Sequence, residues 1–472
     1  MHNFICSLID DKAIKRQIAI LESLNNEKKF VSSQKLADQL QCSTRTIRND
    51  ISQLRKQLPE NWGIISVKTR GYILIKPVEE SVLSVIDSYL TESTLYRVML
   101  EIFHNKYYTL EKWSQILYMN KLTLRTHLKD YNKMLNKSGL NIKFRDLQLE
   151  GDEINIRYYY IAFFYFTQQF SDQPFIPIEL RKKVLAILYH SEVPMDILLL
   201  RSIVFVFINR FFNRHCVSKE ITCMPIYSDK QLKCLNEIIT EIENYYKIDF
   251  SKYERDALHL FLFFGLINTG SQGKVTIEYV REYNQEIYKK FMNFIDTLLI
   301  GNPLSSELKG KLTVEVIPYF YKVCISRELN FSISHIFDPI HCSDSILLRN
   351  YKENVSLISR WNETNNDKQF TKDEIKYIAS HATAILNSIC NEINIVLVLS
   401  GTTVEKNLIY RKLKQSLGEN VNIDRIPNYN MKYDFIISNC QLSYTRAPVI
   451  YISYMLTANE IDSIKNRIFD LD

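Results

Sequence analysis

The chain has 472 residues, of which 46% are hydrophobic and 24% charged, with only 11 glycines and 11 prolines. These proportions are typical of packed globular proteins and exclude a fibrous or mainly disordered chain. The length exceeds what one hydrophobic core supports, so we expect roughly three to five domains.

The net charge of +6 is concentrated in the first third of the chain. Residues 1 to 150 hold 23 Lys and Arg against 16 Asp and Glu, which leaves 36 against 37 for the remainder. A basic segment joined to a near-neutral body suggests that the N-terminal end binds a polyanion.

The nine cysteines are an odd number and include no C-x-x-C pair. We therefore expect reduced thiols, no metal site and no cofactor. Acidic residues interrupt the start of the chain where a signal peptide needs an apolar stretch, and no apolar run approaches about 18 residues. The expected location is cytoplasmic, without membrane contact.

Residues 32 to 58 predict two short helices joined by a tight turn, with Ser43 as the N-cap of the second helix. Apolar residues at helical spacing predict the buried stripe of this second helix: Ile47, Ile51 and Leu54. The outward side chains of its N-terminal turns are those that a recognition helix offers to bases and phosphates. We expect these DNA contacts to be Ser43, Arg45, Thr46, Arg48 and Asn49.

Residues 63 to 77 alternate β-branched residues around a Thr-Arg-Gly turn and predict a hairpin. Lys68 and Arg70 lie at its tip, where a winged domain touches an adjacent groove or the DNA backbone. The segment resembles the winged helix-turn-helix of bacterial regulators. The matching residues are Leu36-Ala37, Ser43 to Arg48, Asp50-Ile51 and Arg70-Gly71-Tyr72. The alternative interpretation is a basic, solvated helix.

A second helix-turn-helix is predicted between residues 95 and 137, and weaker strand signals follow at residues 141 to 157. The apolar face of its longer helix comprises Leu124, Leu128, Tyr131 and Leu135. Cations recur at spacings of four on the exposed side: Lys121, Arg125, Lys129, Lys133 and Lys137. Such a ridge suits phosphates, although a charge run is usually just a solvated face. We expect DNA contacts at Lys121, Thr123, Arg125, Lys129 and Lys133.

Long amphipathic segments between about residues 160 and 390 predict two helical bundles in tandem, with a boundary near residues 268 to 276. Short apolar runs from residue 393 onward predict a small α/β domain. The predicted domains are 1–80, 81–158, 159–275, 276–392 and 393–472.

This layout resembles the Mga/AtxA family of Gram-positive virulence transcription regulators over essentially the whole chain. The resemblance implies a mainly α, multidomain protein with two winged helix-turn-helix units, two helical phosphotransferase-system (PTS) regulation domains and a C-terminal enzyme IIB-like α/β domain. In that family a phosphorylatable histidine follows a glutamate by seven residues, a pattern that Glu374 and His381 reproduce. In the first bundle Glu254 is followed instead by Phe261, and we interpret the nearby His259 as structural. The alternative for His381 is likewise a buried structural histidine.

The enzyme IIB fold carries phosphate on a cysteine after its first strand, but here that loop is Ser400-Gly401-Thr402-Thr403. Because the transfer needs a thiolate, we expect a catalytically silent domain, although the loop could still cradle an anion. The common nucleotide-binding, zinc-protease and hydrolase motifs are also absent from the sequence, so we expect no enzyme activity.

The sequence therefore predicts a transcription regulator that binds double-stranded promoter DNA. The family resemblance implies activation, a homodimer formed through the C-terminal half, and control by a PTS phosphocarrier protein acting on His381. The alternatives are a phosphocarrier component of that system and an RNA-binding antiterminator.

Overall fold

A computed structural model gives the structure of the chain. It describes every residue except 1–2, 28, 168–174, 268–269, 302–305, 334–344, 367–368, 391–392, 418–420, 429–430, 432, 443–446, 454–455 and 470–472. The chain divides into two compact units. Unit 1 comprises Met1–Ile295, Ile317–Ile340 and Ser359–Ile378. Unit 2 comprises Asp296–Val316, His341–Ile358 and Ala379–Asp472.

The first helix-turn-helix follows a short helix, α1 (Asn3–Leu8), at the start of unit 1. Its elements are α2 (Lys12–Asn26), α3 (Ser33–Gln39), α4 (Thr44–Gln57), β1 (Gly63–Val67) and β2 (Gly71–Ile75). The stripe predicted from the sequence is confirmed, because Ile47, Ile51 and Leu54 are all buried. They pack with residues of α2, α3 and the hairpin in one apolar cluster.

The predicted hairpin of the wing is confirmed, and a third backbone segment pairs with it. Residues Val31 and Tyr72 exchange two backbone hydrogen bonds, with N···O distances of 2.8 and 2.9 Å. This bridge brings the segment before α3 against β2. At Gly71 φ is +107°, and a Cβ atom there would lie 2.1 Å from the carbonyl oxygen of Val31. Only glycine therefore fits the start of β2.

The second helix-turn-helix has one more helix at its start and then the same order of three helices and a hairpin. Its elements are α5 (Val82–Glu92), α6 (Thr94–Phe103), α7 (Leu110–Ile116), α8 (Lys121–Leu135), β3 (Asn141–Lys143) and β4 (Gln148–Glu150). The predicted apolar face of α8 is buried. The strand signals at residues 141 to 157 are only partly realised, because the hairpin ends at Glu150 and a helix begins at Glu153.

That helix opens the first bundle. Its members are α9 (Glu153–Thr167), α10 (Ile178–Ser191), α11 (Ile197–Phe212), α12 (Asp229–Tyr246), α13 (Lys252–Gly265) and α14 (Gly270–Tyr283). Helix α9 is buried along most of its length. Its first five residues, which carried the strand signal, fold as part of a helix because both sides of α9 pack into the core. Tertiary burial here overrides the local preference of β-branched and aromatic residues.

A buried charge network holds the first bundle together. Arg157 of α9 is fully buried, and its guanidinium donates to both carboxylate oxygens of Glu254 at 2.6 and 2.8 Å. It also donates to Glu153 at 3.0 Å and to the carbonyl oxygen of His215 at 2.7 Å. Arg210 of α11 donates to the same Glu153 at 2.9 and 2.5 Å. Two arginines and two glutamates therefore neutralise one another, and all but the partly exposed Glu153 are buried.

The polar stretch predicted as the boundary between bundles is helical from Gly270 onward, since it lies in α14. Gln272 and Thr276 are buried there, and Gln272 donates to the carbonyl oxygen of Ile226 at 3.1 Å. The helices that follow are α15 (Gln285–Gly301), α16 (Ser306–Glu328), α17 (Ser345–Asn365) and α18 (Lys372–Cys390). Among the described residues we find no helix with the length and apolarity needed to cross a membrane.

The small α/β fold predicted from residue 393 onward is confirmed, and the short apolar runs of that segment form four strands. Its elements are β5 (Ile393–Val398), α19 (Thr403–Leu417), β6 (Val421–Asp424), β7 (Phe435–Ser438), β8 (Val449–Tyr451) and α20 (Ala458–Phe469). The strands are parallel and lie in the order β6-β5-β7-β8. Apolar residues of α19 and α20 cover the sheet.

We expect Gly71→Ala to weaken the wing by about 2 kcal/mol or more, because the new Cβ atom clashes with Val31 and the backbone keeps a strained φ. Hydrogen exchange of the full chain, read by mass spectrometry, should be at least about tenfold faster in residues 63–75. Gly63→Ala is the matched control, since nothing lies within 4 Å of its added Cβ atom. Equal exchange in both variants would contradict this account.

Candidate nucleic-acid interface

The N-terminal turns of α4 present a polar surface to solvent. Ser43 caps the helix, and its hydroxyl accepts a hydrogen bond from the Thr46 amide at 3.1 Å. The side-chain hydroxyls of Ser43 and Thr46 also form a hydrogen bond with each other, with an O···O distance of 2.8 Å. Arg45, Arg48 and Asn49 are exposed. Their donors are available to base edges and phosphates.

A charged pair fixes the direction in which α4 points. Asp50 is buried at the inner side of the helix, and its carboxylate accepts from the Arg16 guanidinium at 2.5 and 3.0 Å. The hydrogen bond to Asp50 raises the pKa of Arg16 above its usual value, against a smaller effect of burial. Because Arg16 belongs to α2, the pair ties the recognition helix to the helix packed behind it.

The wing presents its two predicted cations at its tip. Lys68 and Arg70 are both exposed in the turn between β1 and β2. At the other end of the hairpin, Arg55 of α4 donates to the carbonyl oxygen of Ile64 at 3.0 and 2.8 Å. The recognition helix and the wing are therefore held as one surface.

In the second unit, Asn120 caps α8 and accepts from the Leu122 amide at 2.8 Å. The five predicted contacts, Lys121, Thr123, Arg125, Lys129 and Lys133, are all exposed. Two of these cations already have acidic partners. Lys121 pairs with Glu111, and Lys133 lies 2.7 Å from Asp130. Arg125 and Lys129 have no ion-pair partner within the described part of the chain.

The cations of α8 wind around the helix. Each step of four residues turns about 40° beyond a full turn, so Lys133 lies about 120° from Lys121. Lys137 lies beyond α8, in the short 3-10 helix Asn136–Ser138. A single DNA backbone therefore cannot meet all five side chains along one line, and the N-terminal end of α8 offers the compact surface.

The helix-turn-helix pairs of the two units, α3–α4 and α7–α8, align at a constant offset. α3 and α7 begin at residues 33 and 110, and α4 and α8 begin at 44 and 121, which gives 77 in both cases. Gln41 and Tyr118 share this offset, and both have positive φ, 49° and 50°. The Cys42 and Met119 amides each donate to the carbonyl oxygen five residues earlier at 3.0 Å. The two turns are therefore built alike.

The sequence reasoning missed two exposed apolar residues in the second unit. Tyr118 in the turn is 98% exposed, and Leu122 at the start of α8 is 71% exposed. The available signal was that Leu122 lies off the buried stripe of its own helix. An apolar side chain at the start of a recognition helix has a use in reading bases, because thymine offers a methyl group.

Both units match known families of helix-turn-helix domains. Residues 78–164 match the Mga helix-turn-helix domain family, and residues 16–73 match a helix-turn-helix domain family. The chain is 22% identical to the capsule synthesis positive regulator AcpB of Bacillus anthracis, over 96% of this chain and 98% of that protein. These matches support the resemblance to the Mga/AtxA family.

Two further relatives from the same organism are similar. The anthrax toxin expression trans-acting positive regulator is 22% identical over 96% of this chain and 98% of its own length. The capsule synthesis positive regulator AcpA is 30% identical over 31% of this chain and 30% of its own length. Both of the relatives that align over nearly the whole chain are named as regulators, and neither is named as an enzyme.

The glutamates of the family's histidine pattern hold the starts of two helices. Glu254 and Glu374 are each the third residue of their helix, and their amides donate to the hydroxyls of Ser251 and Thr371, both at 3.3 Å. Each carboxylate also binds an arginine: Glu254 pairs with Arg157, and Glu374 accepts from Arg327 at 2.8 Å. These two glutamates therefore have a structural role.

The histidine positions differ between the two bundles. His381 lies half-buried on α18, beside the buried Ala382. Phe261 occupies the equivalent place after Glu254 and is buried. His259 is also buried, and its Nε2 atom lies 3.1 Å from the Asn236 side-chain oxygen. Burial lowers the pKa of His259, which favours its neutral form.

A carboxylate of the chain itself accepts hydrogen bonds from the loop after β5. Glu405 accepts hydrogen bonds from the amide and the hydroxyl of Thr402, both at 2.8 Å. The Ser400 amide donates to the Asn439 side-chain oxygen at 2.7 Å. These bonds satisfy donors with which the loop would otherwise cradle an anion, so the anion site considered from the sequence finds no support here.

We expect Asp50→Asn to destabilise the first helix-turn-helix unit by about 1 to 2 kcal/mol. The Arg16 guanidinium then faces a neutral amide at the buried position 50. Pulse proteolysis across a urea series, with fragments identified by mass, should show cleavage between residues 12 and 75 at lower urea. Asp38→Asn is the control, since Asp38 is exposed on α3. Equal midpoints for the two variants would remove the ion pair from this account.

Proposed function

We propose that this chain is a DNA-binding transcription activator whose two helix-turn-helix units bind promoter DNA, and whose activity is controlled by PTS-linked phosphorylation of His381. Duplex binding is supported above all by the exposed N-terminal turns of α4. Arg45, Arg48 and Asn49 are exposed on this helix. The buried Asp50 on its inner side holds the helix in place through its ion pair with Arg16. Activation is proposed because AcpB, AcpA and the anthrax toxin regulator are named positive regulators.

The contacts divide into two kinds. Arginine matches guanine O6 and N7, and asparagine matches adenine N6 and N7, so Arg45, Arg48 and Asn49 suit base edges. Lys68 and Arg70 on the wing, with Lys129 and Lys133 on α8, suit phosphates, which position the protein without reading sequence. Ser43, Thr46, Lys121, Thr123 and Arg125 complete the proposed contact set.

Selection from a randomised duplex library with purified full-length protein tests the proposal, because the library contains the bound site whatever its sequence. The selected duplex should bind with an affinity that falls steeply as salt rises, because phosphate contacts release counterions. A hairpin RNA of the same sequence should compete poorly. Failure to select any duplex at two salt concentrations, or preference for the RNA, would contradict the proposal.

We expect Arg45→Ala combined with Arg48→Ala to weaken binding of the selected duplex by at least about 30-fold, since each arginine contributes about 1 to 3 kcal/mol to base recognition. Fluorescence anisotropy measures this directly. The matched control is Arg181→Ala combined with Arg214→Ala, two exposed arginines of the first bundle. Unchanged affinity with a folded double variant would remove the first unit from the mechanism.

A dimer formed through the C-terminal half is proposed because it presents two sets of helix-turn-helix units to one promoter. Linking modest sites raises the effective local concentration and hence the affinity for paired half-sites. The enzyme IIB-like domain, without a cysteine at residues 400 to 403, would then serve assembly rather than phosphate transfer.

Phosphorylation of His381 by a PTS phosphocarrier protein is the proposed control. Glu374 and His381 are seven residues apart on α18, so their Cα atoms are only about 20° apart around the helix. A phosphate adds close to two negative charges at pH 7. Placed on a half-buried side chain beside buried Ala382, that charge would reorder the packing around α18.

We expect His381→Asp, a partial charge mimic, and His381→Ala to differ in dimer fraction by sedimentation and in reporter activity. His190→Asp, at an exposed histidine of α10, controls for an added carboxylate. Both assays use a strain with an intact PTS as the source of protein. Identical behaviour of the two His381 variants would instead support a structural histidine.

A further inference from the structure

The two recognition helices share one backbone plan and differ in their base-facing chemistry. At the offset of 77 residues, the caps Ser43 and Asn120 correspond, as do the second helical positions, Arg45 and Leu122. Both second positions are exposed. The first unit therefore offers a guanidinium where the second unit offers an isobutyl group.

Tyr118 adds to the apolar surface of the second unit. It precedes the cap of α8 by two residues and is almost fully exposed. Its φ of +50° is in the left-handed region, which bulky residues seldom adopt and asparagine or glycine adopts readily. A tyrosine at this position is therefore not required by the fold of the turn. Its side chain is better explained by contact with something outside the chain.

The surroundings of Leu122 favour duplex DNA as that partner. Lys121, Thr123 and Arg125 are exposed on the same first turns of α8, and Arg125 has no acidic partner among the described residues. An apolar side chain ringed by phosphate-binding groups fits the major groove. There the C5-methyl group of thymine is the apolar feature of a base edge.

We propose that the second helix-turn-helix unit recognises thymine C5-methyl groups through Leu122, assisted by Tyr118, while Arg45 of the first unit recognises guanine. This inference rests on the proposed DNA-binding function and specifies the chemistry of its second half. The bound site then has two unlike halves. One contains a guanine under α4, and the other contains thymines under α8.

The test uses full-length protein and the duplex selected above. Each thymine is replaced in turn by deoxyuridine, which removes only the methyl group and keeps base pairing. The wild-type chain should lose about three- to fivefold in affinity per contacted methyl, at one or two positions in one half of the site. Leu122→Ala should bind more weakly, and its affinity should no longer depend on those methyl groups.

Two further arms isolate the effect. Leu232→Ala removes another exposed leucine from the first turn of a helix, α12, and should keep the wild-type dependence on thymine methyls. A duplex with 7-deazaguanine, which lacks the N7 acceptor, should weaken the wild-type chain and Leu122→Ala equally, but should not weaken Arg45→Ala. Tyr118→Asn keeps a residue suited to the left-handed turn and should reduce the deoxyuridine effect.

The inference fails if the wild-type chain binds the selected duplex and is indifferent to every deoxyuridine substitution. It also fails if Leu122→Ala remains as sensitive to the methyl groups as the wild type. Loss of reporter activation by Leu122→Ala with unaltered duplex binding would assign the apolar surface to a protein partner instead. These results differ from failure to select any duplex, which would overturn the DNA-binding proposal itself.

Discussion

The buried guanidinium of Arg157 is the group on which the packing of the first bundle depends. A charge removed from water must be neutralised and fully hydrogen-bonded, and the carboxylate of Glu254 does both at 2.6 and 2.8 Å. The same carboxylate accepts from the Val217 amide at 2.7 Å, so it also fixes the segment after α11. Helix α9 is thereby held against α11 and α13. Removing Arg157 would leave the Glu254 carboxylate buried without its cationic partner.

The packing of α9 also positions the second helix-turn-helix unit. Tyr159 of α9 lies with its hydroxyl 2.8 Å from that of Tyr131 on α8, and its ring packs 5.8 Å from that of Phe4. The inner face of the second recognition helix therefore packs on a helix of the first bundle. The first helix-turn-helix has an apolar cluster of its own, and α2 contributes Ile20 to that cluster and Ile18 to the larger core. The two units thus differ in how closely they are coupled to the bundle.

This arrangement gives a physical basis for regulation within unit 1. A rearrangement of the first bundle that moved α9 would move α8 as well, because their side chains share one core. The first unit keeps its geometry through the Asp50–Arg16 pair. At the position equivalent to Asp50 in the second unit, His127 lies 2.8 Å from Asp10, which belongs to the segment just before α2. A histidine thus stands where the first helix-turn-helix has an aspartate, and its acidic neighbour comes from outside its own unit.

The sequence by itself determined the elements whose signals are local. The cap at Ser43, the stripes on α4 and α8, the hairpin and the four C-terminal strands all follow from residue type and spacing over short distances. Only the tertiary structure decided what depends on distant partners. The start of the helix at residues 153 to 167 carries a strand signal, and the partners that bury this helix are distant in the sequence: Glu254, for example, binds Arg157 from 97 residues away. The exposure of Tyr118 in its turn, and the pairing of Lys121 with Glu111, likewise depend on how segments pack, which spacing along one helix does not encode.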